Sequence, residues 1–185
     1  DYKYMMGKVW ENLFIISTCF FVGAFMFKDI AFNMLFEGDY RTGVVVFPYL
    51  LFSPFLQMLY QVLGTQFQII KKTYYSPIML ATGAIVNIIL NAYLIPRIGI
   101  EGAAIATFLG FLVTVAITIC IVVIIKKLVY LSKSIFLMMG LFLGVFIFLN
   151  YYDINIYTVL VCIGYLLLCI VLYYKEVIRL IKKEI

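Results

Sequence analysis

Polar positions along this chain are clustered, and between the clusters the sequence is apolar for long distances. Residues 42–70, 73–96, 102–125, 134–152 and 154–174 contain no charged side chain. Each run is long enough to cross a hydrocarbon core of about 30 Å as a helix. Residues 9–27 form a sixth run, interrupted only by Glu11 near its start. The runs are too long for barrel strands and lack their apolar/polar alternation. No short apolar segment with a small-residue cleavage site precedes the first of them, which argues against a secretory signal. The expected fold is therefore all-α, a polytopic transmembrane helix bundle of six spans. Residues 1–125 would hold four spans and 126–174 two more, with 175–185 a basic cytoplasmic tail at the interface. The chain begins at Asp1, not Met, and reads as a piece of a longer protein.

Composition agrees with the pattern. Of the 185 residues 66% are hydrophobic and 12% charged, where a soluble domain has roughly 45–50% and 25%. Histidine is absent, which excludes Ser-His-Asp and Cys-His catalysis, histidine metal sites and a histidine pH switch. Cys19, Cys120, Cys162 and Cys169 stand singly in apolar runs without CxxC spacing, as packing residues do. No cofactor is expected, and nothing points to an enzyme. The 15 tyrosines and 17 phenylalanines read as lipid-facing or interfacial residues, with Tyr74-Tyr75, Tyr151-Tyr152 and Tyr173-Tyr174 at span ends.

Charge adds orientation. With six spans both termini share one side, and the segments there carry Lys3, Lys8, Lys71, Lys72, Lys126, Lys127, Lys133, Lys175, Arg179, Lys182 and Lys183. Those are eleven of the 14 basic residues. The other side keeps Lys28, Arg41 and Arg97 beside Asp29, Glu37, Asp39, Glu101 and Asp153. The positive-inside rule makes both termini cytoplasmic. The net charge of +5 is thus a topology signal and not the footprint of a nucleic-acid partner. Glu11 lies close enough to the cytoplasmic end to snorkel into the interface.

Polar groups inside spans are the candidates for function. In the second span Gln57, Gln61, Gly64 and Gln68 share a helical spacing, Ser53 extends the stripe by a turn, and Pro48 and Pro54 bend the helix. Such a face suits a hydrated cavity for sugar hydroxyls or phosphates, and equally suits amide bonds to neighbouring helices. In the third span Gly83, Asn87 and Asn91 recur every four residues, Pro96 marks its end and Gly99 lies in a tight outer connection. The fourth opens with Gly102, Ala106 and Gly110 at the same period. These two spans read as an antiparallel hairpin with a small-residue seam. Gly140 and Gly144 make a further GxxxG pair, also expected to pack.

The stretch 87–107, NIILNAYLIPRIGIEGAAIAT, resembles a family signature. It is similar to the NxxLNxxLIPxxGxxGAAxAT motif of polysaccharide-transporter flippases, within the multidrug/oligosaccharidyl-lipid/polysaccharide superfamily. Residues 35–40, LFEGDY, are similar to the LFGxxY segment upstream of it. Residues 61–66, QVLGTQ, followed by Lys71-Lys72, fall where the family has a short cytoplasmic turn. The likeness covers about residues 8–125, with Glu37 and Glu101 as departures. It implies helices nine to fourteen of a fourteen-helix protein, whose missing N-terminal lobe would close a central cavity. It further implies alternating-access export of lipid-linked oligosaccharide, undecaprenyl-pyrophosphate repeat units for O-antigen, capsule or lipopolysaccharide, across the bacterial cytoplasmic (inner) membrane. The bilayer, the lipid-linked oligosaccharide and the first lobe are the implied partners. Asn87, Asn91, Pro96, Gly99 and Gly102 would shape the lobe.

Three alternatives compete. A multidrug/cation antiporter of the same superfamily would favour a carboxylate deep in a span. A membrane glycosyltransferase or polymerase would need a catalytic acid in a long outer loop, and the loops around Asp29, Asp39 and Asp153 are short. A non-catalytic membrane subunit is the third.

Overall fold

A computed structural model describes residues 2–35, 43–152 and 155–181, the side chains of Leu35, Tyr173 and 175–181 excepted. The fold is an all-α helical bundle, with no strand among the described residues. Helix α1 spans Tyr2–Met26, the short α2 Lys28–Leu35, α3 Phe47–Ile69, α4 Tyr75–Ile119, α5 Lys133–Tyr151 and α6 Ile156–Ile181. A π-helical turn, Cys120–Ile125, continues α4.

Helix α4 is two helices joined at a break. Gly99 has φ 60° and ψ −133°, close to the first central residue of a type II′ turn, where only glycine sits without strain. The helix runs through Pro96 to this point, so glycine and not the proline ends the third span. The arms before and after Gly99 pack antiparallel, Leu94 against Gly102, Asn87 against Thr107 and Gly83 against Gly110.

The long segments alternate in direction. Trp10 of α1 donates its indole N–H to the Leu59 carbonyl of α3 at 3.0 Å. Phe21 lies 5.3 Å from Phe52 and Gln66 reaches Tyr2, so α1 and α3 are antiparallel. The 126–132 connection returns to the start of α1, where the Tyr130 N–H meets the Lys3 carbonyl at 3.3 Å. Helix α5 then runs alongside α1 and α6 comes back against it. Both the 70–74 turn and the 126–132 connection lie at the end of the bundle where α1 begins.

Aromatic rings fill the centre. Phe21, Phe52, Phe108, Phe142 and Phe146 come from α1, α3, the second arm of α4 and α5. Phe52 meets Phe142 at 4.7 Å, and Phe108 stacks on Phe146 at 4.6 Å. Many phenylalanines are therefore core, contrary to the lipid-facing expectation: their rings fill the space between α1, α3, the second arm of α4 and α5. Tyr74, Tyr151 and Tyr152 do stand exposed at helix ends.

Three stretches among the described residues are long and apolar enough to cross a membrane: Tyr2–Met26, the two-armed Tyr75–Ile125 and Lys133–Tyr151. Ile156–Leu172 is a shorter apolar helix. The chain is membrane-embedded. Helix α3 has 23 residues and no charge, yet is not among these stretches. Its glutamines and prolines dilute its hydropathy. Residues 36–42 and 153–154 lie outside the described residues, and with them nearly all of the LFEGDY segment and Asp153. So does the end of the tail, 182–185, although α6 continues helically into it as far as Ile181.

Candidate functional site

Helix α3 carries the polar face. Pro48 stands in its first turn, where the absent N–H costs nothing, and Pro54 lies inside it. Gln57, Gln61 and Gln68 are exposed on the outside of the bundle, and Thr65 stands with them. The three glutamine amides show no hydrogen bond to any described group, whereas neighbouring Gln66 is buried and donates to Tyr2 at 3.3 Å. The face runs from the middle of α3 to the exposed Lys71 and Lys72.

Two residues expected on this face are elsewhere. Ser53 is buried and donates to the Tyr49 carbonyl at 2.7 Å, one turn back. Gly64 is buried against the ring of Tyr60. Helical drift explains both: a 4, 3, 4 spacing spreads over a wide arc, and the arc's edge turns inward. Thr65, four residues after Gln61, completes the exposed row that Gly64 was expected to join. The helix also persists through 61–69, so the turn falls at 70–74 and not within QVLGTQ.

The α4 hairpin brings the second set together. Asn91 donates to Asn87 Oδ1 at 2.9 Å, Asn87 donates to Thr107 Oγ1 at 3.3 Å, and Thr107 donates to the Ala103 carbonyl at 2.9 Å. This chain of bonds ties the two arms, and Asn91 Oδ1 at its end is buried without a partner. The glycines set the spacing. A methyl group at Gly83 would stand 2.7 Å from the Gly110 carbonyl oxygen, and one at Gly102 would stand 2.7 Å from the Leu94 carbonyl carbon. Ala106 is fully buried, and Pro96 and Gly99 lie at the exposed end of the hairpin. A groove of about 400 Å³ remains over the seam, between Gly83, Asn87, Thr107 and Thr114. Gly140 and Gly144 pack on nothing: no described atom lies within 4 Å of where a side chain would begin, and both line an open apolar groove.

Glu11 corrects a further expectation. Its carboxylate does not snorkel to the surface; it is buried, 6% exposed, paired with Lys8 at 2.9 Å and accepting the backbone N–H of Ser132 at 2.5 Å. It thereby caps α5 from another helix. Sequence spacing could not show this, because the partners are 121 residues apart.

No family model, curated protein or solved structure matches the chain.

Proposed function

We propose that this chain is part of a membrane flippase that moves lipid-linked oligosaccharide across the bacterial cytoplasmic membrane by alternating access. Undecaprenyl-pyrophosphate repeat units would be its cargo and polysaccharide export its purpose, with both ends of the segment cytoplasmic. The observation carrying this reading is the row of exposed amides on α3, which bond to no described group. Hydrocarbon cannot satisfy an amide, so such a face belongs against water, sugar hydroxyls or a second lobe. The resemblance of residues 87–107 to the flippase signature supports it, and the hairpin gives that motif a mechanical reason: a rigid pair of arms that moves as one piece.

Alanine at Gln57 and Gln61 together, in the complete protein, should reduce surface glycan without lowering protein level. Normal export in that double variant would refute the cavity role. Among the described residues, the buried Glu11 favours a cation antiporter instead. Ion-driven drug efflux that is lost in Glu11→Gln, with glycan export unaffected, would establish that second reading.

A further inference from the structure

We propose that the lysines at the end of the bundle where α1 begins form a binding surface for the anionic phospholipid head groups of the adjoining leaflet. Lys3, Lys71, Lys72, Lys126, Lys127 and Lys133 are all exposed there. They come from segments that the fold draws together. The Tyr130 N–H of the 126–132 connection meets the Lys3 carbonyl at 3.3 Å, and Gln66, near the end of α3, reaches Tyr2 at 3.3 Å. None of these lysines forms an ion pair among the described residues. Of the described carboxylates only Glu11 lies at this end, and its oxygens are taken by Lys8 and the Ser132 N–H. The charge of the exposed lysines is therefore not neutralised among the described residues.

Two of them stand where a side chain is strained. Lys71 has φ 57° and Lys127 φ 48°, and among the described residues no other non-glycine residue has a positive φ. Each follows the end of a helix, at a place where glycine is usual. After α3 the Lys71 N–H meets the Gln68 carbonyl at 2.9 Å and the Lys72 N–H meets the Phe67 carbonyl at 2.8 Å. After the π-helical turn the Leu128 N–H reaches back to the Val122 carbonyl at 2.8 Å. These closures fix the backbone at Lys71 and Lys127 without calling for a lysine side chain. Lys72 and Lys126 already complement the helix ends with positive charge. The positive-inside rule counts charges in a segment and does not fix their positions. An anion held by the two strained side chains accounts for lysine in place of glycine.

The surroundings select a lipid. Each lysine pair lies just after exposed isoleucines, Ile69 before Lys71-Lys72 and Ile124-Ile125 before Lys126-Lys127. Tyr74 and Tyr130 are exposed at the same end, as rings at a membrane interface are. This order sets the isoleucines against acyl chains and the lysines at the depth of the phosphates. Phosphatidylglycerol brings a net negative charge that the lysines attract, whereas phosphatidylethanolamine offsets its own phosphate with an ammonium. The inference needs a bundle seated in a bilayer and no transport activity. It can therefore fail while the flippase reading stands, and the reverse.

The test uses the complete protein purified in mild detergent, with retained lipid measured by native mass spectrometry. Phosphatidylglycerol and phosphatidylethanolamine of matched chains are offered in equal amounts, with and without inorganic phosphate. The wild type should retain phosphatidylglycerol preferentially. Lys71→Gly and Lys127→Gly relieve the backbone, so each should keep or raise the thermal midpoint. Each should nevertheless cut phosphatidylglycerol retention about fivefold, the effect of one lysine near an anionic surface. Lys71→Arg keeps the charge and should keep the retention. Lys72→Gln and Lys126→Gln, which remove charge where the backbone is unstrained, form a second pair of variants and should lower retention in the same direction. Equal retention of both lipids by the wild type, or retention unchanged in the folded glycine and glutamine variants, overturns the proposal. Displacement of phosphatidylglycerol by an equal concentration of inorganic phosphate also overturns it, in favour of a soluble-anion site.

Discussion

Gly83 and Gly110 hold the hairpin arms at backbone contact, and a side chain on Gly83 has nowhere to go. We predict that Gly83→Leu destabilises the protein by about 1–3 kcal/mol through overpacking, read as a lowered thermal midpoint in detergent. Gly140 gives the control, since nothing lies near it; Gly140→Ala should be neutral or stabilising by up to about 1 kcal/mol. The Gly102, Ala106 and Gly110 series and the Gly140 and Gly144 pair look alike in sequence, each with small residues four apart. Among the described residues only the hairpin series finds a partner arm. Spacing specifies which residues share a face but not whether another helix comes to it. Gln57 and Gln61 were legible as residues of one face because their spacing is helical, but that the face is exposed came only from the packing of the other helices. Ser53 was not, because a hydroxyl can satisfy itself on its own helix.

At the scale of elements, two joints hold the bundle. Glu11 caps α5 across the bundle through the Ser132 N–H. Glu11→Ala should leave that N–H unsatisfied and cost about 1–3 kcal/mol, and limited proteolysis should cut faster within 126–132. Glu11→Gln keeps an acceptor oxygen and should lose less. If both variants behave alike, the ion pair with Lys8 and not the cap is what matters. The second joint is α6 on α1, where the thiols of Cys19 and Cys169 face each other. A membrane-permeant thiol oxidant should join them, and peptide mapping should recover the Cys19–Cys169 crosslink with Cys120 still free. Absence of that crosslink would mean that α6 packs elsewhere. The helices themselves were legible, because uncharged runs of span length admit little else in a bilayer. Their pairing was not: it depends on ring contacts and caps between residues far apart in sequence.

The molecule is a bundle of alternating helices with many exposed apolar side chains, and α3 sets a row of exposed amides among them. Exposed side chains such as Ile88, Leu137 and Ile147 suit lipid, while three adjacent amides do not. Exposed lysines cluster at the end where α1 starts, and what α3 faces decides whether the bundle borders a hydrated cavity. The direct measurement is the reactivity of single cysteines with a charged, water-borne thiol reagent. It is made on the complete protein in native membranes, with the four native cysteines replaced. Gln57→Cys, Gln61→Cys and Gln68→Cys should react rapidly, and Ile147→Cys, on the apolar outside of α5, should not. If the α3 positions are as unreactive as Ile147→Cys, the face is not hydrated and the transport cavity is elsewhere.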